Sequence, residues 1–220
     1  MIKHWSTIFN MHQHSPQSFS EFVDNYGQYE PGQTGAHEEA LTGEDLMKRA
    51  KTLKEDTAAG ADGWRPYELR HLPLQAWHKR SEILQLALEV GEYPESYYVV
   101  NTPMIPKKNK GNQPLDHRLL AGFSALYRLE AGAWYDNLLP WLEKLLHKDV
   151  IGAVPGREGL EIAWDALSFL EMAAMKGKDV ALSTYDFKKY FDAFDHDFTH
   201  EMMVHVGMPP RLAKLTLQLY

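Results

Sequence analysis

The segment VALSTYDFKKYFDAFDHDFTH, residues 180–200, decides the fold because an apolar run leads directly into a dense group of acidic residues. We predict a β-strand over residues 179–187, in which side chains alternate between two faces. Val180, Leu182, Thr184 and Asp186 then share one face, and Asp186 ends an otherwise apolar row. A buried carboxylate without a partner is energetically costly. We therefore expect Asp186 to face solvent, a cation or a metal ion.

Two interpretations of Asp186 stay open on spacing alone. Mg²⁺ takes oxygen ligands from one or two carboxylates and completes its shell with water and substrate phosphates. Paired ions of this kind stabilise the attacking and leaving oxygens of phosphoryl transfer, which makes Asp186 a candidate metal ligand. Alternatively, Asp186 caps the following helix, and Asp192, Asp195 and Asp197 lie near a helix N-terminus, where negative charge is favoured.

A pair of histidines in the same segment suggests a different metal. His196 and His200 are separated by four positions with Asp197 between them, close to the zinc pattern His-Glu-x-x-His. Asp197 replaces the glutamate of that pattern and is one methylene shorter, and the sequence offers no obvious third ligand. A zinc-dependent hydrolase that uses His196 and His200 is therefore an alternative.

Helix signals dominate the rest of the chain. Thr42, with Asp45 three residues on, is a capping-box pattern that opens a helix. Residues 74–94 show helical spacing up to Gly91. Two further helices are expected, one over residues 124–148 that Pro140 should kink or split and one over 157–177 that Gly177 closes. With strands expected before the basic loop and at Asp186, the pattern predicts an α+β fold with helices on one side of a small sheet.

Composition excludes some classes of protein and leaves others open. The chain has 220 residues, 44% of them hydrophobic, and no cysteine, which excludes disulfides and thiolate metal sites. No apolar run is long enough for a membrane span, and no secretory signal is evident, so we expect an intracellular protein of the nucleus or cytoplasm. The net charge of −7 does not indicate a nucleic-acid binder. Residues 106–118, PKKNKGNQPLDHR, are nevertheless a local basic patch.

Six segments, in order from residue 42 onward, are together similar to the reverse transcriptase domain of non-LTR retrotransposons. The segments are AAGADGWRPYELRHL (58–72), YPESYYVVNTPMIPKKNKG (93–111), DHRLLAGFSALYRL (116–129), IGAVPGREGLEIAW (151–164), YDFKKYFDAFDHD (185–197) and VGMPPRLAKLTLQLY (206–220). The fifth resembles the family's first catalytic motif. The resemblance implies an α+β right-hand polymerase, with helix-rich fingers and the start of the palm.

The resemblance also implies roles for individual residues. Asp186 would hold catalytic Mg²⁺, or Mn²⁺, with help from the carbonyl of Phe187. Phe191 would crowd the sugar 2′-hydroxyl and so select deoxynucleotides. Lys107, Lys110 and Arg118 would lie near the incoming triphosphate, although a solvated basic turn is an equally good interpretation of the two lysines. The partners implied are an RNA template, a DNA primer and deoxynucleoside triphosphates, with no membrane.

The predicted organisation is a flexible N-terminal extension over residues 1–40 and an incomplete reverse transcriptase domain over residues 41–220. The family's second catalytic motif contains two adjacent aspartates, and the sequence has no such pair. Two-metal chemistry needs that second set of carboxylates, so we expect no polymerase activity from this chain alone. A non-catalytic RNA-binding remnant is the alternative function. We also expect an exposed apolar patch beside the strand that bears Asp186.

Overall fold

The computed structural model describes residues 2–13, 15–16, 18–29, 35–36, 40–108, 111, 113–152, 154–186 and 193–219. Within these ranges the protein is rich in helix and contains a small two-stranded sheet. That composition is compatible with the predicted α+β class. None of the described helices is both long enough and apolar enough to cross a membrane.

The N-terminal region contains helices α1 (Ile2–Phe9) and α2 (Phe19–Tyr26). Ser18 caps α2, and its hydroxyl accepts a hydrogen bond from the Glu21 backbone N–H at 3.2 Å. The sequence predicts a flexible extension here, but Trp5 on α1 is buried. The aromatic rings of α2 also contact the C-terminal part of the chain.

Four of the helices that build the core are α3 (Gly43–Thr52), α4 (Pro66–Arg70), α5 (Leu74–Val90) and α6 (Ala125–Leu145). The predicted capping box forms at the start of α3. The Thr42 hydroxyl accepts from the Asp45 N–H at 3.2 Å, and the Asp45 carboxylate accepts from the Thr42 N–H at 2.9 Å. Gly91 ends α5 in the left-handed conformation, with φ of 76°, as the sequence indicates.

Apolar side chains of these helices form one contiguous cluster. Pairs such as Leu46 and Ala50 on α3, one turn apart, lie on the face of their helix that is removed from water. The fully buried large side chains are Leu46, Leu69, Trp77, Ser124, Leu129, Glu130, Leu212 and Leu215. Most are apolar, and the exception that matters for electrostatics is the carboxylate of Glu130.

Of the two effects predicted for Pro140, a kink or a split, the split is absent. α6 runs without a break from Ala125 to Leu145 and contains Pro140, so the proline does not split it. Proline lacks the N–H that would bond the carbonyl four residues earlier, at Asp136. Asp136 and Pro140 are both exposed, which lets water take the place of the missing bond. The loss is therefore tolerated near the end of the helix.

The sheet is a short antiparallel hairpin of β1 (Met104–Pro106) and β2 (His117–Leu119). Met104 pairs with Leu119, Ile105 with Arg118, and Pro106 with His117. An isolated bridge between Asn101 and Gly122 extends the pairing towards the helices. The predicted strand before the basic loop is confirmed, although it is shorter than the aromatic and β-branched run from Tyr97 suggests.

The C-terminal half contains α7 (Gly159–Met175), α8 (His196–His205) and α9 (Pro210–Leu217). Gly177 follows α7 with φ of 62°, as predicted. The strand predicted over residues 179–187 is wrong over its described part, since residues 179–186 form neither a strand nor a helix. These residues make no backbone hydrogen bond to other described backbone groups. A strand needs such a partner, and the described part of the chain supplies none.

Candidate functional site

The basic hairpin presents its cationic side chains on and beside β2. Arg118 is exposed and lies opposite Ile105 in the register. Lys107 is half-buried directly after β1, and its backbone N–H donates to the Asp116 carbonyl at 2.9 Å. The predicted Lys110 lies outside the described residues. The structure therefore brings Lys107 and Arg118 onto one element, where both cations can meet an anionic ligand.

The turn of the hairpin is held by its own polar groups. A 3₁₀ turn over Pro114–Asp116 precedes β2. The Asp116 carboxylate accepts a hydrogen bond from the Gln113 N–H at 3.2 Å. His117 Nδ1 lies 3.1 Å from the Gln113 carbonyl oxygen. These short-range bonds explain how a polar, glycine-containing loop returns the chain in register with β1.

Asp186 is exposed at the end of the apolar segment that follows α7. Exposure satisfies the expectation that its carboxylate faces solvent, a cation or a metal. Among the described residues, Asp186 does not belong to any group of three or more side chains that could bind a metal ion together. Phe187 and Phe191, the other predicted members of the site, lie outside the described residues, as does Asp192.

The acidic residues around α8 divide into a cap and an exposed charge. Asp195 is the N-cap of α8, and its carboxylate accepts from the Phe198 N–H at 3.1 Å. Asp195 thus lies at a helix N-terminus, as predicted, and it takes in α8 the capping role that the sequence offered to Asp186. Asp197 is exposed in the first turn of the helix, where its charge is favoured.

The two histidines of the zinc pattern lie on α8, with His196 exposed and His200 half-buried. Their spacing of four places them on the same side of the helix. Across the described ranges, no third side chain joins them in a metal-binding group. A structural zinc site usually has four protein ligands and a catalytic one three.

A buried polar cluster links α5 to α6, and sequence reasoning missed it. The Glu130 carboxylate accepts hydrogen bonds from Arg80 Nε and, at 2.6 Å, from the Tyr97 hydroxyl. The Arg80 guanidinium also lies 5.2 Å from the centre of the Tyr97 ring. Burial raises the pKa of Glu130 to about 7, and the opposing effect of Arg80 does not cancel it. Burial likewise raises the pKa of Tyr93.

One sequence signal could have identified Glu130. Leu126, Leu129, Ala133 and Trp134 lie on one face of α6 at helical spacing, and Glu130 falls within that face. A carboxylate within an apolar face requires a buried partner. The partner, Arg80, is fifty positions away along the chain, and no local pattern indicates it.

An apolar cavity of about 370 Å³ lies between α1 and the hairpin. Trp5 and Phe9 of α1 line it together with Met104 and Leu119, a cross-strand pair of the hairpin. The neighbours of this pair along the two strands, Ile105 and Arg118, belong to the opposite face of the sheet. The hairpin therefore turns the apolar pair Met104 and Leu119 towards α1 and carries Arg118, beside Ile105, on its other face.

The comparison with known families adds no assignment to this geometry. No family model matches the chain.

Proposed function

We propose that this chain contains the fingers and the first part of the palm of an RNA-directed DNA polymerase of the non-LTR retrotransposon kind. The observation that carries the proposal is the ordered set of six motifs. The exposed Arg118 on the hairpin and the exposed Asp186 support it, because both side chains are accessible to an anionic ligand or a cation. The partners would be an RNA template, a DNA primer and deoxynucleoside triphosphates.

The hairpin would bind phosphate. Arg118 has a planar guanidinium that can donate two parallel hydrogen bonds to phosphate oxygens, and Lys107 adds a second positive charge on the same element. Backbone bonds within the turn fix the position of these side chains relative to each other. Arg118 and Lys107 would thus orient the triphosphate or the nucleic-acid backbone before any chemistry occurs.

Asp186 would hold Mg²⁺, or Mn²⁺ in its place. The donor suits the ion, since an exposed carboxylate supplies a hard oxygen ligand and leaves room for water and phosphate oxygens. When bound, the ion would stabilise the negative charge that develops as a primer 3′-hydroxyl attacks the α-phosphate of a deoxynucleoside triphosphate and pyrophosphate leaves. Asp186 is one ligand of the set that two-metal chemistry requires.

The proposed role of the hairpin in phosphate binding is tested with a labelled RNA template annealed to a DNA primer. Fluorescence anisotropy at low salt measures the binding of this duplex to the protein. We expect Arg118→Ala to weaken binding about tenfold, because a charge-assisted hydrogen bond to phosphate is lost. Arg211→Ala is the matched control, since Arg211 is an exposed arginine on α9, and it should change binding by less than about twofold. Absence of saturable binding at low salt would remove the proposal.

Metal binding separates the polymerase from the alternative of a non-catalytic RNA-binding protein. A titration with Mn²⁺ that is monitored by electron paramagnetic resonance should show one binding site for the ion. The Asp186→Asn substitution should abolish this site. Asp179→Asn is the control because Asp179 is an exposed aspartate in the same segment, and it should leave the titration unchanged. If the two variants give equal titrations and still bind the RNA template annealed to its DNA primer, the RNA-binding alternative is favoured.

The zinc hydrolase alternative has its own test. Stoichiometric zinc in the purified protein that the His196→Ala substitution removes would favour it.

A further inference from the structure

Helix α7 exposes an amount of apolar surface that is unusual for a helix of a folded protein. Ala173 is its single buried residue in the described part of the chain. The exposed fraction is 73% for Leu160, 68% for Trp164, 57% for Leu167 and 88% for Met175. A helix that is apolar around most of its circumference is normally covered, and contiguous exposed apolar patches mark interaction sites.

Four of the exposed apolar residues form a stripe along one side of the helix. Leu160, Trp164, Leu167 and Met175 recur at intervals of three, four and eight positions, which places them on one side of the helix. Glu171 falls within the stripe. Seventeen residues span about 25 Å, long enough for one helix to lie along another over several turns.

The charges beside the stripe indicate what covers it. Glu158, Glu161 and Asp165 lie at the N-terminal half of α7, and Lys176 and Lys178 follow its C-terminal end. All five are exposed. No described residue forms an ion pair with any of them. The helix therefore has an acidic start and a basic end, and within the described part of the chain both sets of charges are available to a second molecule.

A second copy of α7 in antiparallel orientation pairs the charges at both ends of the helix at once. With the twofold axis at Leu167, Leu160 of one copy meets Ala174 of the other, next to Met175, and Lys176 lies opposite Glu158. In antiparallel pairs the same flank of each helix faces its counterpart, so the acidic flank of one copy meets the basic end of the other. The helix dipoles also oppose each other favourably in this arrangement.

The same charges disfavour other occupants. A membrane surface attracts helices with basic residues beside the apolar face, whereas α7 carries acidic residues along most of its length. Nucleic acid is repelled for the same reason. We propose that α7 is a self-association surface, on which a second copy of this chain docks its own α7 in antiparallel orientation through Leu160, Trp164, Leu167 and Met175.

Sedimentation velocity over a range of protein concentrations tests the proposal. We expect a monomer–dimer equilibrium in the wild type. Leu167→Glu places two carboxylates against each other at the axis and should raise the dimer dissociation constant about tenfold or more. Leu86→Glu is the matched control, because Leu86 is an exposed leucine (58%) on α5, and it should leave the equilibrium unchanged. Glu171→Leu should strengthen the dimer, since it removes a charge from the stripe.

Charge reversal tests the orientation of the two helices. The Lys176→Glu/Lys178→Glu variant and the Glu158→Lys/Glu161→Lys variant should each be mainly monomeric, because like charges then meet at both ends. An equimolar mixture of the two should form a heterodimer. Circular dichroism confirms that each variant is folded. A wild type that is monomeric at every concentration, an assembly of more than two copies, or a dimer that Leu167→Glu leaves intact would overturn the proposal.

Discussion

Glu130 lies in the core with its carboxylate between Arg80 and the Tyr97 hydroxyl. Burial raises its pKa to about 7 from an ordinary value of 4.5. The native state therefore binds a proton at Glu130 between these two values, and the unfolded state does not. Protonation of Glu130 therefore makes its full contribution to the free energy of unfolding below about pH 4.5. This contribution is lost as the pH rises through about 7.

We predict that the free energy of unfolding falls between pH 5 and pH 7.5, by at most about 1.4 kcal/mol per pH unit from this group. Urea denaturation at several pH values measures the change. Glu130→Gln keeps a neutral acceptor beside Arg80 and should flatten the difference between pH 5 and pH 7.5. The comparison isolates Glu130 from the histidines, which both proteins share. An identical pH profile in the variant would contradict the assignment.

At the level of elements, α3 and α5 pack closely because Gly43 has no side chain. A Cβ atom at Gly43 would lie 2.8 Å from the backbone nitrogen of His78 on α5. Backbone atoms cannot move aside as a side chain can. We predict that Gly43→Ala lowers the free energy of unfolding by about 1–3 kcal/mol in thermal or urea denaturation.

Gly152→Ala serves as the control for Gly43→Ala, since nothing lies within 4 Å of a Cβ atom at Gly152. This substitution should change stability by less than about 0.5 kcal/mol. If both alanine variants have the same free energy of unfolding as the wild type, then α3 and α5 do not pack as closely as the structure shows.

Elements whose signals are local could be predicted from the sequence. The capping box of Thr42 and Asp45, the left-handed Gly91 and the glycine at 177 each act within one turn of their helix. Pattern and structure therefore agree at these ends. Whether Pro140 splits α6 depends on whether water reaches the Asp136 carbonyl, which is a property of the fold and not of the adjacent residues.

Features that depend on distant partners could not be predicted. The segment 179–186 has the alternation of a strand, but a strand forms only where another segment offers hydrogen bonds. Glu130 has a partner fifty positions away. For the candidate site, the sequence indicated Asp186 and Arg118, and both side chains are exposed. The position of Asp186 relative to Arg118 depends on contacts between distant segments, which residue patterns do not encode.

Over the whole molecule, the N-terminal region is held against the C-terminal helices by aromatic rings. Phe19 and Phe22 contact Phe198 edge-on, with ring centres 5.7 and 5.4 Å apart. Phe19 also contacts the His205 ring at 5.3 Å. The Ala36 N–H donates to the Gly207 carbonyl at 2.8 Å, which adds a backbone link between the same two regions. Such aromatic pairs contribute about 0.5–1.5 kcal/mol each beyond the area they bury.

We predict that Phe22→Ala detaches α2 from α8 while the core of α3, α5 and α6 stays folded, because Phe22 belongs to this aromatic contact and not to the main apolar cluster. Hydrogen exchange should increase about tenfold or more across residues 19–26, corresponding to a loss of about 1.4 kcal/mol or more. Phe169→Ala removes an exposed ring from α7 and should leave exchange in this region unchanged. Equal protection of residues 19–26 in the wild type and in Phe22→Ala would mean that the aromatic rings do not hold the N-terminal region, and that the backbone link at Ala36 is sufficient.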